Sequence, residues 1–271
     1  MTVVKERLDI LLVRRGYYPS REQARSAIMA GRVFVNGQRM DKSGTGVASE
    51  VDIEIRGQDN PFVSRGGLKL VRAIEEFKID LRGKTVLDVG ASTGGFTDCA
   101  LQAGAGHVIA VDVGYGQLAW KLRNDPRVTV LERTNIRYLD PGSLPIQADV
   151  VTVDVSFISL SKILSKLDGL TKEIAQFVLL VKPQFEAGRE KVGKKGVVRD
   201  PEVHAEVLDR LVGVIVALGW SVMGVTHSPV RGPEGNIEYL LYASKGALPN
   251  VSLVPVPVHQ AVGEAYRAFQ V

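Results

Sequence analysis

The sequence of 271 residues has a single cysteine, Cys99, and only four histidines. One cysteine excludes an internal disulfide framework and a zinc site built on cysteine ligands. The histidines show no spacing typical of metal ligands, so we expect no metal; they are His107, His204, His227 and His259. Cys99 lies in an apolar pattern, and we expect it in the core rather than as a nucleophile because free cysteine is commonly buried. So little cysteine is typical of a reducing compartment, and we expect a cytoplasmic protein.

The chain also lacks a hydrophobic run long enough to cross a membrane. Its first ten residues, MTVVKERLDI, carry charges where a secretion signal needs an apolar core. The most apolar later stretch, LVGVIVALGW at 211–220, has about half the length that a membrane span requires and continues a preceding helical pattern. We therefore expect no membrane partner, and the sequence disfavours a pore-forming protein.

Positive charge is abundant only at one end of the chain. Residues 1–40 hold eight Lys and Arg against three acidic residues, a net charge of +5. Because the whole chain carries +4, the other 231 residues together carry −1. Such an asymmetry predicts that the first segment contacts a polyanion.

The same segment predicts two short helices and a small sheet. Leucines in ERLDILLV have the spacing of an amphipathic helix, and Ser20 followed by Gln23 has the spacing of a capping box at a second helix. The strand VFV is followed by Asn36-Gly37, a dipeptide favoured in tight hairpins, and EVDIEI alternates as a further strand. We therefore expect a small α+β module over 1–58.

Arginines of this module form a candidate phosphate-binding surface, although a solvated charged face is the alternative. The segment resembles the S4 RNA-binding domain at matched positions: Arg7-Leu8-Asp9, Gly16, Ser20-Arg21, Ala24, Ile28, Gly31, Val33 and Val35-Asn36-Gly37. The resemblance implies a module that docks RNA and performs no chemistry. The candidate RNA-binding residues are Arg7, Arg21, Arg25, Arg32 and, beyond the module, Arg65.

The remainder of the chain predicts an α/β domain at 67–271, after a linker at 59–66 and a boundary near residue 59. Apolar β-branched runs such as TVLDVG and HVIAVDV alternate with helical stretches such as GFTDCALQAG, GQLAWKLRN and LSKILSKLDGL, which is typical of a doubly wound parallel sheet. Near the end, WSVMGVTHSP and IEYLLYAS are separated by a glycine- and proline-containing loop without a helix. These two strands should form an antiparallel hairpin at the sheet edge.

The stretch VLDVGASTGGFTDCAL predicts a buried strand that breaks into glycines and then opens a helix. Its glycines have the spacing G-x-x-x-G-G, which matches neither the dinucleotide fingerprint nor a P-loop, so a dehydrogenase is disfavoured. Asp112 ends the next strand, 22 residues after Gly90, where a carboxylate can bind ribose hydroxyls. An adenosine without a pyrophosphate clamp fits S-adenosylmethionine, and Asp88 would face its ammonium group. The alternative is a tight turn without a ligand. The candidate cofactor-binding residues are Asp88, Gly90, Ala91, Ser92, Thr93, Gly94, Gly95, Phe96, Asp112 and Asn135.

Four charged residues are candidates for the chemistry. Asp154, Lys182 and Glu238 lie at or near predicted strand ends, where open α/β sheets place their reacting groups. Lys69 precedes the first strand of this domain and could fold back over the cleft. Each alone could be an exposed strand-end charge, but Asp154 and Lys182 interrupt otherwise apolar strands.

The four residues stand in the order of the Lys-Asp-Lys-Glu tetrad of FtsJ-like ribose 2′-O-methyltransferases. From about residue 5 to about residue 245 the chain resembles the TlyA family, which combines an S4 domain with such a Rossmann-like methyltransferase sheet. The blocks that carry the resemblance are FVSRGGLKL, DVGASTGGFTDCAL, VDVSFISL, VKPQFEAGR and GNIEYLL. It implies methyl transfer from S-adenosylmethionine to a ribose 2′-hydroxyl, typically of a cytidine, in ribosomal RNA or ribosomal subunits. The tail from residue 251 is not explained by it.

The implied chemistry suggests a role for each tetrad member. A ribose hydroxyl is a poor nucleophile and needs a base or a cation that favours the alkoxide. Two neighbouring lysines lower each other's pKa, so we expect Lys182 to be the base or alkoxide stabiliser and Lys69 to assist it and hold the ribose. Asp154 would position the ammonium, and Glu238 would orient Lys69 or the hydroxyl. A basic loop at 186–200 either closes over RNA or is only solvated, and a catalytically silent RNA-binding module is the alternative function.

Overall fold

The computed structural model describes residues 5–29, 31–56, 60–246 and 257–271. These residues form two compact units that divide between Asn60 and Pro61. Residue 59, where the sequence suggests the boundary, lies outside the described residues, and the proposed domain and linker limits stay a prediction. Within the described ranges, no helix has both the length and the apolar character needed to cross a membrane.

The first unit contains two helices and short antiparallel strands. Its elements are β1 (Lys5–Arg7), α1 (Leu8–Arg14), α2 (Arg21–Met29), β2 (Val33–Val35), β3 (Gln38–Arg39), β4 (Gly46–Ala48) and β5 (Ile53–Ile55). Strand β2 pairs with β3 and β5, and β1 pairs with β4. Buried residues of α1, α2 and the strands form one small core.

Local sequence signals of this unit act as expected. The Ser20 Oγ accepts a hydrogen bond from the Gln23 backbone N–H at 3.3 Å, which satisfies one donor at the start of α2. Asn36 and Gly37 both have positive φ, 49° and 78°, so the β2–β3 connection is the predicted tight hairpin. The predicted helix pair and hairpin are confirmed.

The second unit is a doubly wound sheet covered by helices. Its elements are α3 (Gly66–Phe77), β6 (Thr85–Val89), α4 (Gly95–Gln102), β7 (His107–Val111), α5 (Trp120–Arg123), β8 (Val128–Leu131), β9 (Ala148–Val153), α6 (Leu164–Leu167), β10 (Thr171–Val181), α7 (Pro183–Glu186), α8 (Pro201–Ala217), β11 (Ser221–His227), β12 (Tyr239–Lys245) and α9 (Val258–Phe269). In the described part of the chain, the sheet has the order β11-β12-β10-β9-β6-β7-β8. Strand β12 is antiparallel to both its neighbours, β10 and β11, while the pairs from β10 to β8 are parallel. The predicted parallel sheet with a terminal antiparallel hairpin is confirmed.

Two hydrophobic cores lie on the opposite faces of this sheet. Successive strand residues point to opposite faces, so Leu87 belongs to the core under α8 and α9 while Val86 belongs to the core under α3 and α4. Cys99 of α4 is buried in the second core, and burial raises the pKa of its thiol to about 12. This placement confirms the prediction of a core cysteine.

Two predicted helices are shorter than the sequence pattern indicates. Ala119 is extended, and its N–H donates to the Thr93 carbonyl at 3.2 Å, so the chain before α5 binds the glycine turn instead of joining the helix. The stretch LSKILSKLDGL forms one α-turn, α6, between two 3₁₀ turns. Its apolar residues are nevertheless buried in the core, which indicates that side-chain packing determines the backbone conformation of this stretch.

Candidate active site

The turn between β6 and α4 brings backbone segments unusually close together. Gly90 has φ 85°, and a Cβ built on it would lie 2.3 Å from the Asp154 carbonyl oxygen. A Cβ on Gly95 would lie 2.3 Å from the Ser64 Oγ. Both positions therefore require glycine, one because of its φ and both because of close approach.

A cavity of about 360 Å³ opens beside this turn. Four segments line it: the start of α3, the glycine turn, the residue after β9, and the loop that leads to β12. The lining residues are Ser64, Arg65, Gly66, Lys69, Gly90, Ala91, Ser92, Thr93, Gly95, Phe96, Asp154, Val230, Arg231 and Gly232. Six of the ten predicted cofactor-binding residues are among them, together with two of the four predicted catalytic residues.

Asp112 lies beside the turn, after the end of β7. One carboxylate oxygen accepts a hydrogen bond from the Ser92 N–H at 2.8 Å, and the other accepts from the Gly114 N–H at 2.6 Å. An ionised carboxylate can accept more than one hydrogen bond per oxygen, so these contacts fix its orientation and leave it able to accept others.

Asp88 does not face the cavity, and the expectation that it would meet a ligand ammonium is corrected here. Its side chain is enclosed, with hydrogen bonds from the Thr97 Oγ1 at 2.6 Å and the Thr152 Oγ1 at 3.0 Å. Helix α4 and strand β9 supply these hydroxyls and cover the carboxyl. Burial raises the pKa of Asp88 to about 6.

Two further predicted cofactor residues also lie outside the cavity lining. The Asn135 Oδ1 accepts from the Arg137 N–H at 3.1 Å and caps a 3₁₀ turn. Gly94 has φ 96°, and a Cβ there would lie 2.3 Å from the Leu122 Cδ1. Gly94 therefore serves the packing of α4 against α5.

The four predicted catalytic residues form one continuous chain of alternating charge. The Lys182 Nζ lies 2.6 Å from the Asp154 Oδ1, and the other oxygen of Asp154 lies 3.7 Å from the Lys69 Nζ. The Lys69 Nζ lies 2.6 Å from the Glu238 Oε2. Asp154 thus lies between the two ammonium groups, and Glu238 holds one of them from the other side.

The sheet topology explains how these distant residues meet. Asp154 follows β9 and Lys182 follows β10, so both lie at the carboxyl edge of the parallel strands. Glu238 comes before its strand, but β12 is antiparallel and pairs Tyr239 with Val181. The beginning of β12 therefore lies at the same edge, and the first turns of α3 bring Lys69 there.

Sequence reasoning missed two groups that support this chain. The Lys182 Nζ also donates to the Ser156 Oγ at 3.0 Å. Gly232 lies directly over Glu238, because a Cβ there would be 2.2 Å from the Oε1. That Oε1 is buried without a hydrogen-bond partner among the described residues. The only sequence signals were a serine two positions after Asp154 and the glycines of the loop before β12.

The candidate RNA-binding arginines of the first unit include a pair on a shared carboxylate. Arg7 donates to both oxygens of Asp9 at 3.0 Å, and Arg21 donates to one of them at 3.1 Å. Asp9 is buried, and the hydrogen bond from Arg7 is the main cause that lowers its pKa. Arg25 is exposed on α2, and Arg32 is partly buried.

The remaining predictions concern Arg65, the basic loop at 186–200 and metal ligands. Arg65 lines the cavity of the second unit. The basic loop at 186–200 contains two 3₁₀ turns, and its Lys191 pairs with Glu206 of α8. Among the residues that the structure describes, no group of three or more His, Cys, Asp or Glu is arranged to hold a metal.

Comparison with known families gives the same division of the chain. Residues 6–53 match the S4 domain, and residues 62–245 match the FtsJ-like methyltransferase family. The chain belongs to the FtsJ-like methyltransferase family. Like the TlyA proteins of that family, it carries an S4 domain before the FtsJ-like domain, and the resemblance seen in the sequence is confirmed.

Individual relatives match this FtsJ-like chain over most of its length. It is 53% identical to YqxC of Bacillus subtilis over 243 residues, which cover 89% of this chain and 86% of the relative. It is 48% identical to the 16S/23S rRNA (cytidine-2′-O)-methyltransferase TlyA of Mycobacterium tuberculosis over 239 residues, which cover 88% and 89% of the two chains. A solved structure from Streptococcus thermophilus, named as a hemolysin, superposes with a TM-score of 0.78 at 42% identity, covering 99% of this chain and 98% of that one.

Proposed function

We propose that this protein transfers a methyl group from S-adenosylmethionine to a ribose 2′-hydroxyl of ribosomal RNA, with cytidine as the modified nucleoside. The observation that carries the proposal is the continuous chain Lys182, Asp154, Lys69 and Glu238 beside the cavity of the glycine turn. The name of the 48% identical TlyA relative supports the choice of ribosomal RNA and cytidine.

The residues around the turn fit this cofactor. Gly90 and Gly95 leave no room for a side chain, so a ligand in the cavity would lie against bare backbone. Ser92 and Thr93 line the cavity, and Asp112 is held beside Ser92 with acceptor capacity for ribose hydroxyls. These residues would hold the adenosine and amino-acid portions. When bound, the cofactor supplies a methyl group activated by a positively charged sulfur.

Activation of the ribose hydroxyl falls to Lys182. A hydroxyl has a pKa far above neutral, so its proton must be accepted or its developing negative charge stabilised as the new bond forms. The Lys182 Nζ is held by Asp154 and Ser156, which fix its direction. Lys69 is fixed in the same way by Glu238, and its ammonium would hold the ribose.

Binding of the substrate is assigned to arginines in both units. Arg7, Arg21, Arg25 and Arg32 would contact RNA phosphates from the S4 domain, and Arg65 would do so beside the cavity. Contacts of this kind are largely independent of base sequence and weaken with salt. The basic loop at 186–200 would add a further contact with the RNA. The proposal also places the protein in the cytoplasm, together with the ribosomes.

The test is transfer of labelled methyl groups from S-adenosylmethionine to naked ribosomal RNA and to assembled ribosomal subunits, with the product nucleoside identified by mass spectrometry. We expect 2′-O-methylcytidine with the unaltered protein and a loss of about 10²-fold to 10⁴-fold in rate for Lys182→Ala. Lys166→Ala, which removes an exposed lysine of α6, is the matched control and should keep full activity.

Two outcomes would contradict the proposal. Methylation of a base instead of the ribose would refute the assignment of the reacting group. Binding of both cofactor and RNA without transfer to either substrate form would favour the alternative of a silent RNA-binding module.

A further inference from the structure

The C-terminal helix α9 reaches the loop that lines one side of the cavity. Arg231 of that loop donates from its Nη2 to the Phe269 carbonyl oxygen at 2.6 Å. The guanidinium carbon of Arg231 also lies 4.9 Å from the centroid of the Phe269 ring. His227, before the same loop, packs edge-on against this ring with centroids 5.8 Å apart.

Helix α9 is itself firmly placed, so it can fix Arg231. Its apolar face is buried against α8 and β11; the buried residues are Val258, Ala261, Val262 and Ala265. The Tyr266 hydroxyl donates to the Arg199 carbonyl at 2.7 Å. The family match ends at residue 245, so this helix lies beyond the part that the FtsJ-like family defines.

The cavity has an excess of positive charge. Its lining contains three cations, Arg65, Lys69 and Arg231, and one carboxylate, Asp154. Lys69 is paired with Glu238 at 2.6 Å and Asp154 with Lys182 at 2.6 Å. Among the described residues, no carboxylate lies within ion-pairing distance of Arg65 or Arg231. A ligand that brings an oxyanion would compensate this charge.

The guanidinium of Arg231 is prepared for such a ligand. Arginine has five N–H donors in a planar fork, and a single amino group is used on the Phe269 carbonyl. The cation–π contact with the ring and this one hydrogen bond restrict the guanidinium, so less side-chain freedom is lost when the remaining donors bind. A planar fork with free donors matches the geometry of a phosphate.

The position of Arg231 favours the RNA over the cofactor. Its neighbour Gly232 packs on Glu238, which holds Lys69, so this loop lies at the Glu238 end of the tetrad, next to the lysine that would hold the ribose. The proposed cofactor contacts Ser92 and Asp112 belong to the glycine turn and the end of β7, on other segments of the site.

We propose that Arg231, positioned by Phe269 of α9, binds the phosphodiester group next to the ribose that is methylated. This assignment rests on the proposed function and adds a substrate contact to it. Arg231 touches the substrate, whereas Phe269 is a positioning residue that acts through Arg231. The C-terminal helix is therefore part of the substrate site.

The experiment compares Arg231→Gln and Phe269→Ala with Arg267→Gln, which removes the same charge from the exposed side of α9. Binding to naked ribosomal RNA is measured from low to moderate salt, and binding of S-adenosylmethionine is measured separately without RNA. For Arg231→Gln we expect RNA affinity to fall about 10-fold to 100-fold and the slope of log affinity against log salt to decrease by about 1. Phe269→Ala should shift both in the same direction by less, Phe269→Tyr should restore them, and cofactor binding should not change.

The possible contrary results are distinct. Weaker cofactor binding with an unchanged salt slope would assign Arg231 to the cofactor carboxylate and overturn the proposal. An unchanged slope and unchanged cofactor binding would leave Arg231 with a structural role only, which also overturns it. If Arg231→Gln lowers the melting temperature markedly, Arg231→Lys is measured instead. A loss of RNA affinity in that folded variant supports the proposal, and an unchanged affinity overturns it. The salt dependence of RNA binding is measured without methyl transfer. A failure to methylate would therefore refute the proposed function, while the binding data would still decide whether Arg231 contacts a phosphate.

Discussion

The two units of this protein each contain a carboxylate shared by two cations, and the two clusters differ in exposure and in chemistry. In the first unit Asp9 binds Arg7 and Arg21, whose side chains are 49% and 57% exposed. In the second unit Asp154 lies between Lys69 and Lys182, whose side chains are 11% and 9% exposed. Arginine keeps its proton in proteins, whereas lysine can exchange one. The same arrangement therefore suits binding at the surface and proton chemistry in a cleft.

A third carboxylate, Asp88, extends the comparison because no cation among the described residues is paired with it. Asp88 is fully buried between two threonine hydroxyls, and burial raises its pKa to about 6. The hydrogen bond from Arg7 instead lowers the pKa of Asp9. Burial dominates the pKa of a carboxylate whose partners are neutral hydroxyls, whereas charged partners outweigh it at Asp9. The same substitution, Asp to Asn, tests all three sites.

The largest effect is expected for Asp154→Asn. It removes the negative charge between two nearly buried ammonium groups and leaves Lys182 with Ser156 as its remaining side-chain partner. We expect the rate of methyl transfer at saturating substrates to fall about 10²-fold to 10⁴-fold, with binding of RNA unchanged. Asp80→Asn, which alters an exposed pair with Arg82, is the control. A variant that keeps near-normal turnover would show that Asp154 does not organise the lysines.

A smaller and different effect is expected for Asp9→Asn. The two guanidinium groups lose their shared acceptor, so we expect about 10-fold weaker RNA binding and about 1–3 kcal/mol lower free energy of unfolding of the first unit, with an unchanged rate at saturating RNA. Because the folded pKa of Asp9 is lowered, its stabilisation is present above the ordinary carboxyl pKa and disappears as pH falls through the folded value.

The measurements for Asp9→Asn are RNA titration and denaturant unfolding, repeated as pH is lowered below about 4. Glu54→Gln, which alters an exposed pair with Arg56 in the same unit, is the control. A fall in the saturated rate, with RNA affinity unaltered, would count against the binding role of this cluster.

The smallest effect on activity is expected for Asp88→Asn. The folded pKa of this acid lies above its unfolded value of 3.8, so the folded protein holds the proton more tightly and loses stability as pH rises from about 4 to about 6. Two pKa units correspond to about 3 kcal/mol. We expect the variant to gain up to about that amount over the unaltered protein between pH 4 and pH 8 in urea unfolding. Cofactor affinity should not change, and a marked loss would restore Asp88 as a ligand contact.

The parts of this structure that the sequence predicted are those with a local signal. Charges such as Lys182 interrupt apolar runs, and glycine spacing separates this turn from a dinucleotide site, so single candidate residues could be named from the local sequence, whereas the tetrad as a set was implied by the resemblance to FtsJ-like methyltransferases. Asn36-Gly37 fixed its hairpin through backbone preference alone. In each case a few adjacent residues determine the outcome.

The features that the sequence did not predict depend on contacts between distant segments. Asp88 looks like any strand-end carboxylate until Thr97 and Thr152 are seen to cover it. The short α5 follows from a backbone hydrogen bond between Ala119 and Thr93. The bond between Arg231 and Phe269 joins a loop to a tail that no motif marks. Hydrogen bonds between distant segments are not encoded in local periodicity.

The ion pair between Lys69 and Glu238 joins residues 169 positions apart in the chain. Both are required to complete the tetrad, so a growing polypeptide cannot contain a finished tetrad until nearly the whole sequence has been synthesised. The four candidate RNA-binding arginines of the S4 domain, in contrast, are all present once residue 32 has been synthesised. During its own translation the protein therefore acquires the candidate RNA-binding groups of its S4 domain long before the tetrad is complete, and a prematurely ended chain would retain these groups without a complete tetrad.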